Sequence, residues 1–418
     1  MLLGRSARRM FVSLLVLVSI ALAGCGGSQQ SPGSSGTQPV TLTWFMWTGS
    51  TQEVQAWEYD ASLVTKQYPY IHIKFETATF ANYWTKLESE AASGDMPDII
   101  SLQSQHTAGF ATNFRPLTPY IKQYKFDTSA FDPTIMKGLT YQGDLRALPY
   151  DFGPLVIFYN KTMFQKYHLP LPTNNWTYQQ FLQDAQAMTQ GSDHGYLDNP
   201  SIDAFLPFAL SSGAHYLTSD GKLDLANNPQ LTAAYQEFAK PVYQYHVSPA
   251  LSVPQSQNSG SIWQGGNLGM FVDGPWDLIN DKANAKFDFG IAPIPQMSQG
   301  SVSVVAGSGF GCSTTTKYAD DCWKAVSVLT GPQAEQYLAS AGRAFSSRTA
   351  QQQYWYKNAV PGADTTLNYA LQHSVPEITT SNWNEVSTLF TQYSVQVFTG
   401  QQPAATALAN IQNQAGKS

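Results

Sequence analysis

Trp47, Trp276, Gln103, Gln105, Asp151 and Ser308 are the residues of this sequence best placed to do chemistry. Their types suit recognition of an uncharged, hydroxyl-rich molecule. The C–H face of a pyranose ring is apolar and stacks on Trp or Tyr, while its hydroxyls need short polar partners. Trp276 follows Gly274-Pro275, which predicts a tight turn after a strand that projects the ring outward. Trp47 sits just past the first predicted strand, and Trp44, one pleat deeper, reads as core. Gln103 and Gln105 follow the predicted strand 98–102 at alternate positions and so share one face. Asp151 follows Pro149, and a carboxylate there accepts two hydroxyls well. Ser308 lies in Gly307-Ser308-Gly309, read as a loop whose small residues let backbone approach a ligand. Asp98 is expected to be structural.

The same inventory offers little to a catalyst. Glycoside hydrolysis needs two carboxyls roughly 5 to 9.5 Å apart across the bond, and Asp95, Asp98, Asp151 and Asp273 form no paired motif. The 7 His show no ligand spacing and 3 Cys cannot build a metal site here, so no metal and no cofactor are expected. No P-loop pattern occurs, which places any ATP hydrolysis on another chain. A formal charge of -6 with no basic stripe argues against a nucleic-acid partner. Charged residues make up only 12%, about half the usual share, and Gln, Asn, Ser and Thr take their place. Aromatics reach 13%, with 10 Trp and 22 Tyr, enough to pack a core and still line a cleft.

Residues 1–25 read as a processing segment. Arg5, Arg8 and Arg9 form a positive n-region, and Phe11 to Ala21 an apolar stretch well under the ~20 residues of a spanning helix. Leu22-Ala23-Gly24-Cys25 looks like a lipobox, which makes Cys25 the expected site of lipidation after cleavage. Ala7-Arg8-Arg9-Met10-Phe11 resembles a twin-arginine signal without its full consensus. Residues 26–39, rich in Gly, Ser, Gln and Pro, read as a flexible tether. Outside the cytoplasm a disulfide persists, and Cys312 with Cys322 could bridge a strand end to a helix start.

These side chains must be positioned by a large fold, since 418 residues accommodate two lobes. Strands are predicted at 40–47, 71–75 and 98–102, with helices at 52–68 and 83–92 between them. This β-α-β-α-β rhythm predicts a parallel sheet covered by helices, with ligands met beyond the strands' carboxyl ends. Residues 145–159, carrying Pro149 and Pro154, suit a crossover between lobes. Further helices are predicted at 176–188, 231–245, 319–329, 333–340 and 383–399, with extended segments at 269–272 and 287–295.

Several motifs together resemble the family 1 extracellular solute-binding proteins of carbohydrate ABC importers. Tyr83-Trp84-Thr85-Lys86-Leu87, followed by Ala92-Ser93-Gly94-Asp95-Met96-Pro97-Asp98-Ile99-Ile100, looks like that family's N-lobe signature. Ala147-Leu148-Pro149-Tyr150-Asp151, with Phe158-Tyr159-Asn160-Lys161 and Phe164, looks like its first crossover. Gly266-Asn267-Leu268-Gly269-Met270-Phe271, ending in Asp273-Gly274-Pro275-Trp276, resembles its second-lobe signature. Gly342-Arg343-Ala344-Phe345-Ser346-Ser347-Arg348 resembles the late loop that often ends in a basic residue, with Ser346 where Pro is frequent.

The resemblance implies an α/β, two-lobe periplasmic-binding-protein-like fold with hinge crossovers and a cleft between the lobes. The lobes would be 40–148 with 296–345, and 149–295 with 346–418. It implies a sugar or oligosaccharide ligand, delivery to ABC permease subunits in the membrane, and a monomer anchored outside the cytoplasm. It adds Tyr83, Arg348 and Trp383 to the candidate contacts and strengthens Trp276, which matches a stacking position. The family often places an acid where Gln103 and Gln105 stand, a departure that bears on which sugar is bound. Arg348 keeps open an anionic or phosphorylated solute, and the same fold could present ligand to a membrane sensor.

Overall fold

A computed structural model describes residues 38–249 and 259–416; the signal segment, Cys25 and residues 26–37 of the tether lie outside the described residues. The strands are β1 (Val40–Trp47), β2 (Ile71–Ala78), β3 (Ile99–Gln103), β4 (Thr140–Tyr141), β5 (Asp144–Leu145), β6 (Leu148–Pro154), β7 (Val156–Asn160), β8 (Met270–Asp273), β9 (Phe289–Ala292), β10 (Ser303–Cys312) and β11 (Ser374–Pro376). The helices of ten or more residues are α1 (Thr51–Gln67), α2 (Phe80–Ser93), α3 (Tyr178–Met188), α4 (Ile202–Ser211), α5 (Pro229–Tyr243), α6 (Ala319–Leu329), α7 (Pro332–Ala341), α8 (Ala363–Gln372), α9 (Trp383–Phe398) and α10 (Ala404–Ala415).

The first sheet runs β11-β10-β3-β1-β2, with β6 also paired to β10. β1 lies parallel to β2 and to β3, as the strand-helix rhythm predicts, because α1 and α2 carry the chain back between them. Ser50 starts α1 by accepting the Glu53 N–H, and Gly94 ends α2 in the left-handed conformation at φ 75°. The Asp98 carboxylate ties the start of β3 to β1 by accepting from the backbone N–H and hydroxyl of Thr43, each at 2.9 Å, and also accepts from Thr316. Trp44 is fully buried.

β10 is the departure from the sequence reading. Gly307-Ser308-Gly309, expected as a loop, is the middle of a ten-residue strand antiparallel to both β3 and β6. A Cβ on Gly307, Gly309 or Gly311 would stand 2.6, 2.5 or 2.4 Å from a backbone oxygen of the 146–151 segment. Glycine is required there for close strand approach rather than for a turn. Cys312, the last residue of β10, is bonded to Cys322 in α6, with their Cα atoms 6.0 Å apart.

The second sheet is antiparallel, β8-β7-β9. β7 follows β6 after Leu155 alone, so the chain passes from one sheet to the other within a residue. Val156 and Phe158 join the apolar cluster that runs through the first sheet, whereas Ile157 and Tyr159 face a second cluster built from α3, α4, α5, α9 and α10. The period-two alternation of one strand thus separates the two cores. Among the described residues no helix is long and apolar enough to cross a membrane.

Candidate ligand-binding site

At the carboxyl end of β3 the chain turns through a short 3-10 helix, Ser104–His106, which presents Gln105 and His106. Three other segments meet it. Asp203 lies in the first turn of α4, behind the Ser201 cap, whose hydroxyl accepts the Ala204 N–H. Tyr216 donates its hydroxyl to the Ile378 carbonyl at 2.8 Å, fixing the strand-to-helix segment that carries Glu377. Trp383 opens α9 with its ring 5.6 Å from that of Tyr216.

Gln105 ties these pieces together. With its amide turned so that the nitrogen faces the acids, it donates to Asp203 at 3.0 Å and to Glu377 at 3.2 and 3.3 Å, and its oxygen lies 2.7 Å from the Gln103 side chain, whose amide turns with it to donate. The opposite orientation would set oxygen against two carboxyls, so the donating one holds. Asp203 and Glu377 also bond each other. Burial pushes Asp203 up to about 6. Burial, then the neighbouring charge of Asp203, holds Glu377 well above the usual carboxylate range. Burial drives His106 down to about 3, so its ring is neutral. That ring stacks on Trp84 at 3.5 Å. Asn384 bonds His106 and donates to Glu88 at 2.6 Å. Nε1 of Trp84 and of Trp383 are buried donors with no acceptor among the described residues.

A second polar cluster sits at the crossover. The Arg343 guanidinium lies 3.3 Å from Glu53, 3.5 Å from Asp151 and 4.8 Å above the Trp57 ring. The other Asp151 oxygen accepts the Ser308 N–H at 2.7 Å. Burial raises Asp151 to about 6 despite Arg343. Asn280 bridges Glu53 at 3.3 Å and Asp277 at 2.6 Å, linking α1 to the turn that holds Trp276. The Trp276 ring folds back over Gly274, where a Cβ would come within 2.2 Å of it, rather than projecting straight outward. It is half-buried and bonds the Asp273 carboxyl.

The structure gathers Gln103, Gln105 and Trp383 at the first cluster, and Asp151 and Ser308 at the second, with Trp276 on the adjoining turn. Trp47 and Tyr83 pack against Trp84, and the Tyr83 hydroxyl is engaged by the backbone of Ser101 on both its donor and acceptor sides. Arg348 stands apart, donating to the Thr330 carbonyl at 2.7 Å and lying 4.1 Å over Phe131, with Glu335 3.7 Å away. Sequence reasoning missed Trp84, His106, Asp203, Tyr216 and Glu377. Asp203 carried one local signal, a serine cap before an apolar helix, and Trp84 stands in the 83–87 motif beside Tyr83; the others have none. Among the described residues no cluster of His, Cys, Asp and Glu could hold a metal ion.

A two-lobe α/β fold with rings and hydrogen-bonding side chains gathered at its strand ends is that of a solute-binding protein of the periplasmic type. The chain belongs to the family described as bacterial extracellular solute-binding protein, whose model matches residues 63–361. Members of this family are substrate-binding proteins and not enzymes. The chain is 22% identical over 315 residues to the maltodextrin-binding protein MdxE of Bacillus subtilis, covering 72% of this chain and 71% of that protein. Its fold is similar to an ABC substrate-binding protein of Listeria monocytogenes solved with cycloalternan, at TM-score 0.84 and 21% identity over 91% of this chain and 99% of the other. It is also similar to the GacH receptor of Streptomyces glaucescens, at TM-score 0.79 and 20% identity over 91% and 98% of the two chains.

Proposed function

We propose that this protein captures a sugar or oligosaccharide between its two halves and delivers it to the permease subunits of an ABC importer. The observation that carries the reading is the Gln105–Asp203–Glu377 cluster flanked by the Trp84–His106 and Tyr216–Trp383 ring pairs. Carboxamides and protonated carboxyls both donate and accept, which suits hydroxyls, and the ring faces suit pyranose C–H surfaces. The buried Nε1 donors of Trp84 and Trp383 want an acceptor that a hydroxyl would supply. Relatives named for maltodextrin, arabinooligosaccharide and galactooligosaccharide binding support the same class.

Gln103, Gln105, Trp276 and Trp383 are the proposed direct contacts, with Trp47, Tyr83, Asp151 and Ser308 shaping the walls behind them. Arg348 is already engaged by the Thr330 carbonyl and by Glu335, which weighs against a phosphorylated ligand. The proposed lobes are 40–148 with 296–345 and 149–295 with 346–418. The pairing of β6 with β10 supports extending the first lobe through the crossover to Pro154. A monomer lipidated at Cys25 and held outside the cell membrane by the 26–39 tether completes the proposal. Calorimetric titration with oligosaccharides tests it: Trp276→Ala should weaken binding by about 1–3 kcal/mol, the range for losing a desolvated stacking partner. An unchanged Kd would remove Trp276 from the site.

A further inference from the structure

We infer that the contact of Gln105 with Asp203 and Glu377 is a proton-operated latch, holding the two halves together in acid and letting them part as the pH rises. Gln105 follows β3 and Glu377 follows β11, both strands of the first sheet, whereas Asp203 is carried by α4, whose apolar face joins the second core. The contacts of Asp203 with Gln105 and Glu377 therefore span the two halves and hold only while these are together. Both carboxyls are turned toward one another and toward one amide, and no lysine or arginine pairs with either among the described residues. The groups facing the pair are Gln105, the neutral His106, and Tyr216, none of them a cation. Of the neighbouring elements, α9 carries Glu385, which lines the outer groove with Glu88 and Asn113, and the short helix Pro133–Gly138 carries Lys137 on its exposed side.

Two facing acids without a cation are accommodated in a dry contact only if at least one proton is kept. Parting the halves returns both carboxyls to water and to ordinary acidity, so closure takes up protons. The closed form holds its full advantage below the ordinary carboxylate range. That advantage drains away as the pH climbs through the raised values of the pair, which the position of Asp203 near 6 places in the mildly acidic range. For each proton taken up on closing, the ratio of open to closed molecules rises by up to about tenfold per pH unit. Such a protein would hold its halves closed in an acidic medium and loosen them near neutrality. The latch does not depend on which ligand binds.

Small-angle X-ray scattering of the ligand-free protein between pH 4.5 and 8 tests this. The radius of gyration should rise with pH in the wild type. Asp203→Asn combined with Glu377→Gln, which fixes the uncharged pattern of donors and acceptors, should stay compact throughout. Gln105→Ala removes the tie from the other side and should be more open than the wild type already at pH 4.5. A wild-type radius that does not move with pH overturns the latch even if no variant can be purified. A double variant that opens with pH as the wild type does would overturn it equally.

Discussion

Replacing Arg343 with Met tests the crossover cluster most sharply, because one cation faces two buried acids. Arg343 is 3% exposed. At 3.3 and 3.5 Å each contact is worth ~5 kcal/mol of gross attraction at an effective dielectric near 20, before desolvation is counted. Breaking such a pair by removing one partner costs about 3–5 kcal/mol. The Glu53 contact is an ion pair by distance without hydrogen-bond alignment, and the Asp151 contact is long, which favours the lower end. Loss of the guanidinium from the Trp57 face adds about 1 kcal/mol, while Met keeps most of the apolar stem. The expected loss at pH 8 is about 3–4 kcal/mol.

The sign of its pH dependence follows from Asp151. Its folded value is raised to about 6, by burial against the opposing pull of Arg343, so removing Arg343 raises it further. A raised carboxyl contributes stability at low pH that is lost as pH rises through the folded value. At pH 5 Asp151 of the variant is protonated and the missing cation matters less, by about 1.4 kcal/mol for each unit of further shift. Urea unfolding of both proteins at pH 5 and pH 8 reads this directly. An equal loss at the two pH values, or a larger loss at pH 5, would refute the reasoning.

Other consequences are open to equally direct measurement. Asp60 is fully buried in α1 with neither oxygen bonded among the described residues, and burial raises its carboxyl well above the usual range. Stability tied to its proton is present below about pH 4 and drains as the pH rises. Asp60→Leu should therefore raise Tm more at pH 8 than at pH 4, and a variant less stable than wild type at pH 8 would contradict this. Gly274→Ala places a Cβ 2.2 Å from the Trp276 ring, so the ring must swing away. A loss of about 1–3 kcal/mol with a shift in tryptophan emission is expected. Replacing Cys312 and Cys322 with Ser opens a loop ten residues apart in sequence and should cost about 3 kcal/mol in urea unfolding.

The opening half of the fold was legible because its elements announce themselves locally. The apolar run of β1 and the alternation of β2 fix two strands, and Gly94 and Pro97 mark the end of α2 before β3. β10 was read in part as a loop because glycine weakens a strand on any local scale. Here the glycines at 307, 309 and 311 are what lets the 146–151 backbone close against it, a requirement set by a partner some 160 residues away in sequence. The outward Trp276 followed from a correctly read turn, but the absence of a Cβ at 274 lets the ring fold back. Half of the site was invisible for a related reason. Gln105 could be placed at a strand end, whereas Asp203 and Glu377 reach it from separate segments that no spacing rule connects. A buried acid pair belongs to tertiary structure alone.

The central claim is that the groove recognises neutral hydroxyl-rich rings. Intrinsic tryptophan fluorescence, titrated in parallel with mono- and oligosaccharides, amino acids and a sugar phosphate, tests it most directly. A saturable change with at least one neutral saccharide and none with the charged solutes is the predicted result. Saturation by a charged solute, with every neutral saccharide silent, would contradict it.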